Sequence, residues 1–166
     1  KFPRPKSLEP AVAFWTRVYT EASTEQGFIH DNWEMDVVYA KIDVPRGLST
    51  RERRARIDGG IDTYRKILTK LGSGARSNLS REEQRVLALW PEGVSNAELK
   101  RAAERVRFQL GQADRYRAGL ARSGIWKPYI LRVLEERGLP LELAALPHVE
   151  SSFDPTAYSK VGAAGM

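Results

Sequence analysis

Apolar side chains recur at helical spacing along most of the chain. Near the start, Ala11, Trp15, Val18 and Ala22 lie three or four residues apart. This spacing predicts an amphipathic helix, and Gly27 is expected to end it.

The run at residues 37–44 has a different pattern. It is rich in β-branched and aromatic residues and is bounded by Asn32 and Pro45. Such a run is typical of a short strand, but a lone strand needs a partner and we identify none. We therefore interpret this run as extended or irregular chain.

Three further helices begin with the same local motif, a serine followed three residues later by a glutamate. The pairs are Ser49 with Glu52, Ser80 with Glu83, and Ser95 with Glu98. In such a capping box the serine hydroxyl accepts from the amide of the third residue, whose carboxylate accepts from the serine amide. The apolar stripes behind the motifs predict a helix ending at Gly72, a short helix through Leu87, and a long helix with a stripe from Leu99 to Leu120.

The last part of the chain predicts two more helices, one from Trp126 to Glu136 and one from Leu141 to about residue 151. Gly138 separates the two, and Pro147 is expected to bend the second. Amphipathic helices must bury their apolar stripes against each other. The predicted fold class is therefore mainly α, a helical bundle.

Composition narrows the function classes. The chain has 166 residues and no cysteine, which excludes disulfides, thiolate zinc sites and a cysteine nucleophile. Strictly apolar stretches reach only about five residues, far below the ~20 that a membrane-spanning helix needs. No leader pattern opens the chain, so we expect a signal peptide to have been removed or never to have existed.

The net charge of +6 is unevenly distributed. Residues 49–125 carry 17 basic and 9 acidic side chains and include a run of arginines at 51, 53, 54 and 56, whereas each flanking part is slightly acidic. A basic segment suits nucleic acid, anionic lipid or an acidic polymer, but arginines on helices are more often a solvated face. No aromatic residues interleave with the run, which argues against a platform for single strands.

Glu150 is the residue best placed for chemistry. It follows Leu146 by four residues and Leu143 by seven, so in a helix it shares their apolar face. Desolvation there and the negative end of the helix dipole both favour the neutral carboxyl, which suits a general acid. The alternative is a glutamate that merely reaches solvent at a helix end.

Residues 150–166 read ESSFDPTAYSKVGAAGM. This segment resembles the opening of a bacterial lytic transglycosylase domain, in particular the membrane-bound lytic transglycosylase D subgroup. The family shows a Glu-Ser pair, an aromatic residue, a proline, then Ala-x-Ser and Gly-Ala-x-Gly, and each is present at the expected spacing. The resemblance is specific over residues 126–166 and looser before them.

The resemblance implies a lysozyme-like α domain that cuts the β-1,4 bond between N-acetylmuramic acid and N-acetylglucosamine in peptidoglycan. The muramoyl 6-hydroxyl closes on C1, so the product is a 1,6-anhydro sugar, and no cofactor or metal is expected. Glu150 would be the acid and then the base. Ser159 would touch the substrate acetamido group or cap a turn, Ser151 would orient the glutamate or cap the helix, and Gly162 would lie close to sugar or in a tight turn. Asp154, beside a proline, is interpreted as a turn residue rather than a second catalytic carboxylate.

We interpret both histidines as structural. His148 lies two residues before Glu150 and so faces elsewhere on the helix, and His30 is expected in a polar turn. No third ligand or nucleophile partner is evident for either histidine.

These observations together predict three parts: an N-terminal helix and extended segment (1–48), a basic helical bundle (49–125), and the N-terminal part of the catalytic domain (126–166). The family pattern continues beyond Gly-Ala-x-Gly. We therefore expect a missing C-terminal part of that domain as a partner, and little or no activity from these residues alone. Glycan strands are the expected partner and nucleic acid is not. The expected location is periplasmic, with membrane anchoring of the full-length protein left open. The alternative is a non-catalytic basic module that binds nucleic acid or an acidic partner.

Overall fold

The computed structural model describes residues 5–154, and within that range helices are combined with a small sheet. In chain order the elements are α1 (Glu9–Thr20), β1 (Gln26–Asp31), β2 (Val38–Asp43), α2 (Thr50–Gly72), α3 (Arg81–Leu87), α4 (Asn96–Arg105), β3 (Val106–Leu110), α5 (Ala113–Glu136) and α6 (Leu146–Glu150). Short 3₁₀ helices at Lys6–Leu8 and Leu141–Ala145 precede α1 and α6. The prediction of a mainly α helical bundle is therefore wrong, because the fold is α+β.

The sheet is antiparallel with the strand order β2-β1-β3. Gly27 of the central strand lies opposite Ile42 on one side and Leu110 on the other. The run at 37–44 thus contains a strand after all, and its partner is the short segment around Gly27. Helix α1 ends at Thr20, several residues before that glycine.

Strand β3 lies inside the stretch predicted as one long helix from Leu99 to Leu120. Val106, Phe108 and Leu110 alternate with Arg107 and Gln109, which is the period of a strand. Val106 and Leu110 are four residues apart, so they also fit one face of a helix, and the strand and helix patterns cannot be distinguished over these few positions. Pairing with β1 selects the strand.

The two faces of the sheet are covered by different helices. On one face, Ile29 and Tyr39 pack with residues of α2, α3 and α4, including Leu68, Leu71 and Leu99 in the main apolar core. On the opposite face, Phe28 packs with Phe14, Val18 and Ala22, which lie in or just after α1. Residues 1–48 and 49–125 therefore contribute strands to one sheet, and the predicted three-part division stays a prediction.

Local capping signals are mostly confirmed. Ser49 and Ser80 form complete capping boxes at the starts of α2 and α3, which end at Gly72 and Leu87 as predicted. Ser95 caps α4 by accepting from the Glu98 amide, but the Glu98 carboxylate turns to arginines instead of closing the box.

Helix α5 runs without interruption through the predicted start at residue 126. It ends at Glu136, and Gly138 follows with a φ of +63°, a left-handed conformation that favours glycine. The predicted end of this helix is therefore confirmed, and the predicted start is wrong.

Candidate functional site

The segment predicted to carry chemistry is divided into two short helices. Leu141–Ala145 forms a 3₁₀ helix and Leu146–Glu150 forms α6, where a single helix to about residue 151 was predicted. Pro147 explains the division, because it has no amide to donate inside a helix but fits the first turn of a new one. Glu150 is thereby the last residue of α6.

The structure brings Glu150 and Ser151 to a helix end at the surface. The side chain of Glu150 is exposed, so residues 5–154 do not supply the desolvation that the helix pattern predicts. Ser151 is half-buried, its amide donates to the Pro147 carbonyl oxygen at 3.1 Å, and its own carbonyl accepts from the Asp154 amide at 3.0 Å. Ser159 and Gly162 lie outside the described residues.

Helix α5 holds the turn that follows Glu150. The Arg122 guanidinium donates to the carbonyl oxygen of Ser152 from Nη2 at 2.7 Å and to that of Phe153 from Nε at 3.0 Å. A Cβ on Gly119 would lie only 2.9 Å from the Ser152 oxygen, so only glycine permits this approach. The sequence gives no local signal for these contacts.

The backbone of this turn is strained. Ser152 and Phe153 have φ values of +52° and +54°, which non-glycine residues rarely adopt. Each costs of order 1–3 kcal/mol and persists only where the surroundings impose it. Here Arg122 and the burial of the Phe153 ring impose it. Strained backbone of this kind is concentrated at functional sites.

His148 contributes packing to the same region. Its ring lies 5.5 Å from the Tyr116 ring and 4.7 Å from the Phe153 ring, measured between centroids. Burial, and secondarily the nearby Lys127 charge, lower the pKa of His148 below its usual value. The histidine is therefore neutral at pH 7 and serves as an uncharged ring against its neighbours.

An open groove of about 510 Å³ lies beside α6. Its walls come from α1, α5 and residues 145–149, and its lining includes Trp15, Tyr19, Tyr116, His148 and Val149. The sequence does not reveal this groove, because the helical spacing of Trp15 predicts an amphipathic helix but not a groove beside it. The exposed indole of Trp15 indicates the groove in the structure, but the spacing of residues in the sequence does not show which side chains are exposed.

A cluster of charged side chains lies where β1 ends. Asp31 is fully buried, and the Arg105 guanidinium contacts both of its carboxylate oxygens at 3.0–3.1 Å. Arg105 also donates to Glu98 at 2.7 Å. Because the aspartate is already occupied by arginine and by the Trp33 and Glu34 amides, this cluster stabilises the fold and offers no free ligand.

His30 lies on the strand and not in the predicted polar turn. It is buried in β1, its ring is 4.3 Å from that of Phe14, and Nδ1 lies 2.9 Å from the Asp31 carbonyl oxygen. Desolvation lowers the pKa of His30 and outweighs the opposing effect of Asp31. The ring is therefore neutral at pH 7.

The arginine run lies on the first turns of α2. Arg51, Arg54 and Arg56 are exposed, whereas Arg53 is half-buried and donates to the Val44 carbonyl oxygen at 3.1 Å. Three of the four side chains are thus available to a partner.

Comparison with family models, curated proteins and solved structures gives no match to this chain. No helix among residues 5–154 is both long enough and apolar enough to cross a bilayer. Over the same residues, acidic, histidine and cysteine side chains form no group of three that could hold a metal ion.

Proposed function

We propose that this chain belongs to a peptidoglycan lytic transglycosylase and that Glu150 is its acid and base. The observation that carries the proposal is the position of Glu150. It stands exposed at the end of α6, beside a groove and before a turn that α5 fixes. An insoluble polymer can reach a carboxyl group only at such an accessible position. The motif that begins at Glu150 and resembles the transglycosylase family supplies the reaction class.

The proposed reaction needs one carboxyl group. Glu150 donates its proton to the glycosidic oxygen as the bond from that oxygen to C1 of the muramoyl unit breaks. The resulting carboxylate then takes the proton of the muramoyl 6-hydroxyl, and the oxygen of that hydroxyl forms the new bond to C1. No water is consumed, and the acid is regenerated. A hydrolase with paired carboxylates would require a second acid at a defined separation.

The rigid turn after Glu150 fits this role. A general acid must be held within hydrogen-bond reach of the oxygen that it protonates. Arg122 and Phe153 fix the backbone that directly follows the glutamate, so the end of α6 has little freedom to shift.

The proposal is tested by incubating purified sacculi with a protein that contains this 166-residue chain. Soluble products are separated and identified by mass spectrometry. We expect 1,6-anhydromuropeptides as the products. Glu150→Gln should reduce the rate by at least about 10²-fold, the usual contribution of a general acid.

Glu142→Gln is the matched control, because Glu142 is also an exposed glutamate in the preceding 3₁₀ helix. It should cleave at the wild-type rate. Reducing-end products, or unchanged cleavage by Glu150→Gln, would contradict the proposal. Nucleic acid binding that is unaffected by Glu150→Gln, with no cleavage, would support the non-catalytic alternative instead.

A further inference from the structure

We propose that the groove between α1, α5 and α6 binds one uncharged N-acetylhexosamine unit of a glycan strand, with Trp15 as its stacking platform. This inference rests on the proposed function and names a sugar-binding site outside the family motif. It places an N-terminal helix in contact with the substrate.

The groove is built around a series of aromatic rings. Trp15 lies 6.2 Å from Tyr19, Tyr19 lies 5.5 Å from Tyr116, and Tyr116 lies 5.5 Å from His148, all between ring centroids. The series crosses from α1 over α5 to α6. Trp15 is 38% exposed although its indole packs edge-on against Phe14 at 5.7 Å, so a fixed ring is presented to solvent.

Among residues 5–154, no charged side chain lines the groove. The described lining comprises Leu8, Ala11, Val12, Trp15, Thr16, Tyr19, Thr20, Tyr116, Ala145, His148 and Val149. His148 is neutral at pH 7, as argued above. In a chain with 29% charged residues and a net charge of +6, such a lining discriminates against anions and cations and favours a neutral ligand.

A pyranose ring fits this chemistry. Its axial C–H groups form an apolar face that stacks on an aromatic ring, while its hydroxyl groups remain at the wet edge of an open groove. The methyl of an acetamido group finds apolar neighbours in Val12 and Val149. The volume of about 510 Å³ lies within the range of small-ligand sites.

The location selects the sugar. Val149 lines the groove and Glu150 follows it directly, so a strand that reaches the proposed acid extends past the groove. Of the two alternating sugars, N-acetylglucosamine is uncharged, whereas N-acetylmuramic acid carries a lactyl group with a carboxylate or a peptide. The neutral lining therefore points to the N-acetylglucosamine unit.

The test titrates tri-N-acetylchitotriose into the 166-residue chain and follows binding by calorimetry and by tryptophan fluorescence. We expect saturable binding that Trp15→Ala weakens about tenfold, the effect of losing one aromatic stacking contact. Trp15→Phe should retain most of the affinity. Trp33→Ala is the matched control, because Trp33 is 77% exposed and does not line the groove.

A second variant keeps the test decisive if Trp15→Ala fails to fold. Val149 is 64% exposed, so Val149→Asp should fold normally and place a charge in the groove. It should also weaken chitotriose binding about tenfold. No binding by the wild type, or equal binding by wild type and both folded variants, overturns the site. Equal binding of maltotriose, which lacks acetamido groups, overturns the choice of sugar.

The two proposals fail separately. Chitotriose binding that depends on Trp15, with no anhydro products from sacculi, refutes the transglycosylase and keeps the sugar site. Anhydro products at the same rate and with the same KM from wild type and Trp15→Ala refute the sugar site and keep the enzyme.

Discussion

Arg122 and Ser152 are joined by two hydrogen bonds, from Nε at 3.2 Å and from Nη2 at 2.7 Å to the same carbonyl oxygen. The contact connects the middle of α5 to the turn that follows Glu150. It holds two consecutive residues, Ser152 and Phe153, in a left-handed conformation that neither would adopt alone.

Arg122→Ala should release this turn. Hydrogen bonds from charged donors contribute about 1.5–3 kcal/mol, and the strained backbone is then free to relax. We expect faster amide hydrogen exchange at Phe153 and Asp154, and slower cleavage of sacculi if the proposed function holds. Arg117→Ala is the control, since Arg117 is exposed on the same helix. Exchange in Arg122→Ala that matches the control would contradict this role.

What the sequence predicted correctly was local. The serines at 49, 80 and 95 cap helices because a cap needs only contacts within four residues. The ends at Gly72 and Glu136 follow from the same short-range signals.

What the sequence did not predict depends on distant partners. β1 is a strand because Gly27 pairs with Ile42 and with Leu110, which lies more than 80 residues away. The candidate site depends on the same kind of contact, since Arg122 and Ser152 are separated by 30 residues. Spacing along one segment carries no information about either pair.

The buried pair of Asp31 and Arg105 predicts a large loss of stability on substitution. Asp31→Asn removes the fully buried charge partner of the Arg105 guanidinium, whose side chain is only 19% exposed, and leaves Glu98 as its acidic partner. We expect unfolding in urea to show a loss of about 3 kcal/mol. Asp62→Asn removes an aspartate from an exposed pair with Arg65 and should cost less than about 0.5 kcal/mol. Equal losses in the two variants would show that burial does not strengthen the pair.

Gly27 and Gly59 should respond in opposite directions to alanine. A Cβ at Gly27 would lie 2.3 Å from Cζ of Phe108 and 2.6 Å from the Gln109 carbonyl oxygen, and the latter is backbone that cannot turn aside. Gly27→Ala should therefore cost about 3 kcal/mol. Gly59 lies in α2, and a Cβ added there would point into open space. Gly59→Ala should therefore stabilise the chain by up to about 1 kcal/mol. Thermal denaturation of both variants measures the difference, and a neutral Gly27→Ala would mean that the sheet is not packed as described.

The exposed arginines of α2 predict a salt-dependent attachment to the cell wall. Neutralising Arg51, Arg54 and Arg56 to glutamine should weaken binding of the chain to sacculi, with the difference shrinking as salt is added. Arg53→Gln is unsuitable, because that side chain bonds to Val44 and its loss affects the fold. The control neutralises Arg132 and Arg137 on and after α5, which are also exposed. Binding that is insensitive to salt and equal in all variants would exclude an attachment role for this run.

His30 predicts that acid weakens the fold. Burial in β1 lowers the pKa of this ring, more than its backbone bond to Asp31 and the Asp31 charge raise it, and Arg107 adds to the lowering. In the unfolded chain the ring takes up a proton near pH 6.5, whereas in the folded chain it does so only at lower pH. The unfolded state therefore binds more protons than the folded state below about pH 6.5. The free energy of unfolding falls as the pH drops below that value, whereas the contribution of His30 to stability is fully present above it. Urea titrations between about pH 7 and pH 5 should show this loss. His30→Phe should make the free energy of unfolding depend less steeply on pH, whatever its effect on stability at pH 7. His148→Phe is the comparison, because that ring is only half-buried and should change the slope less. A slope that His30→Phe leaves unchanged would contradict the assignment.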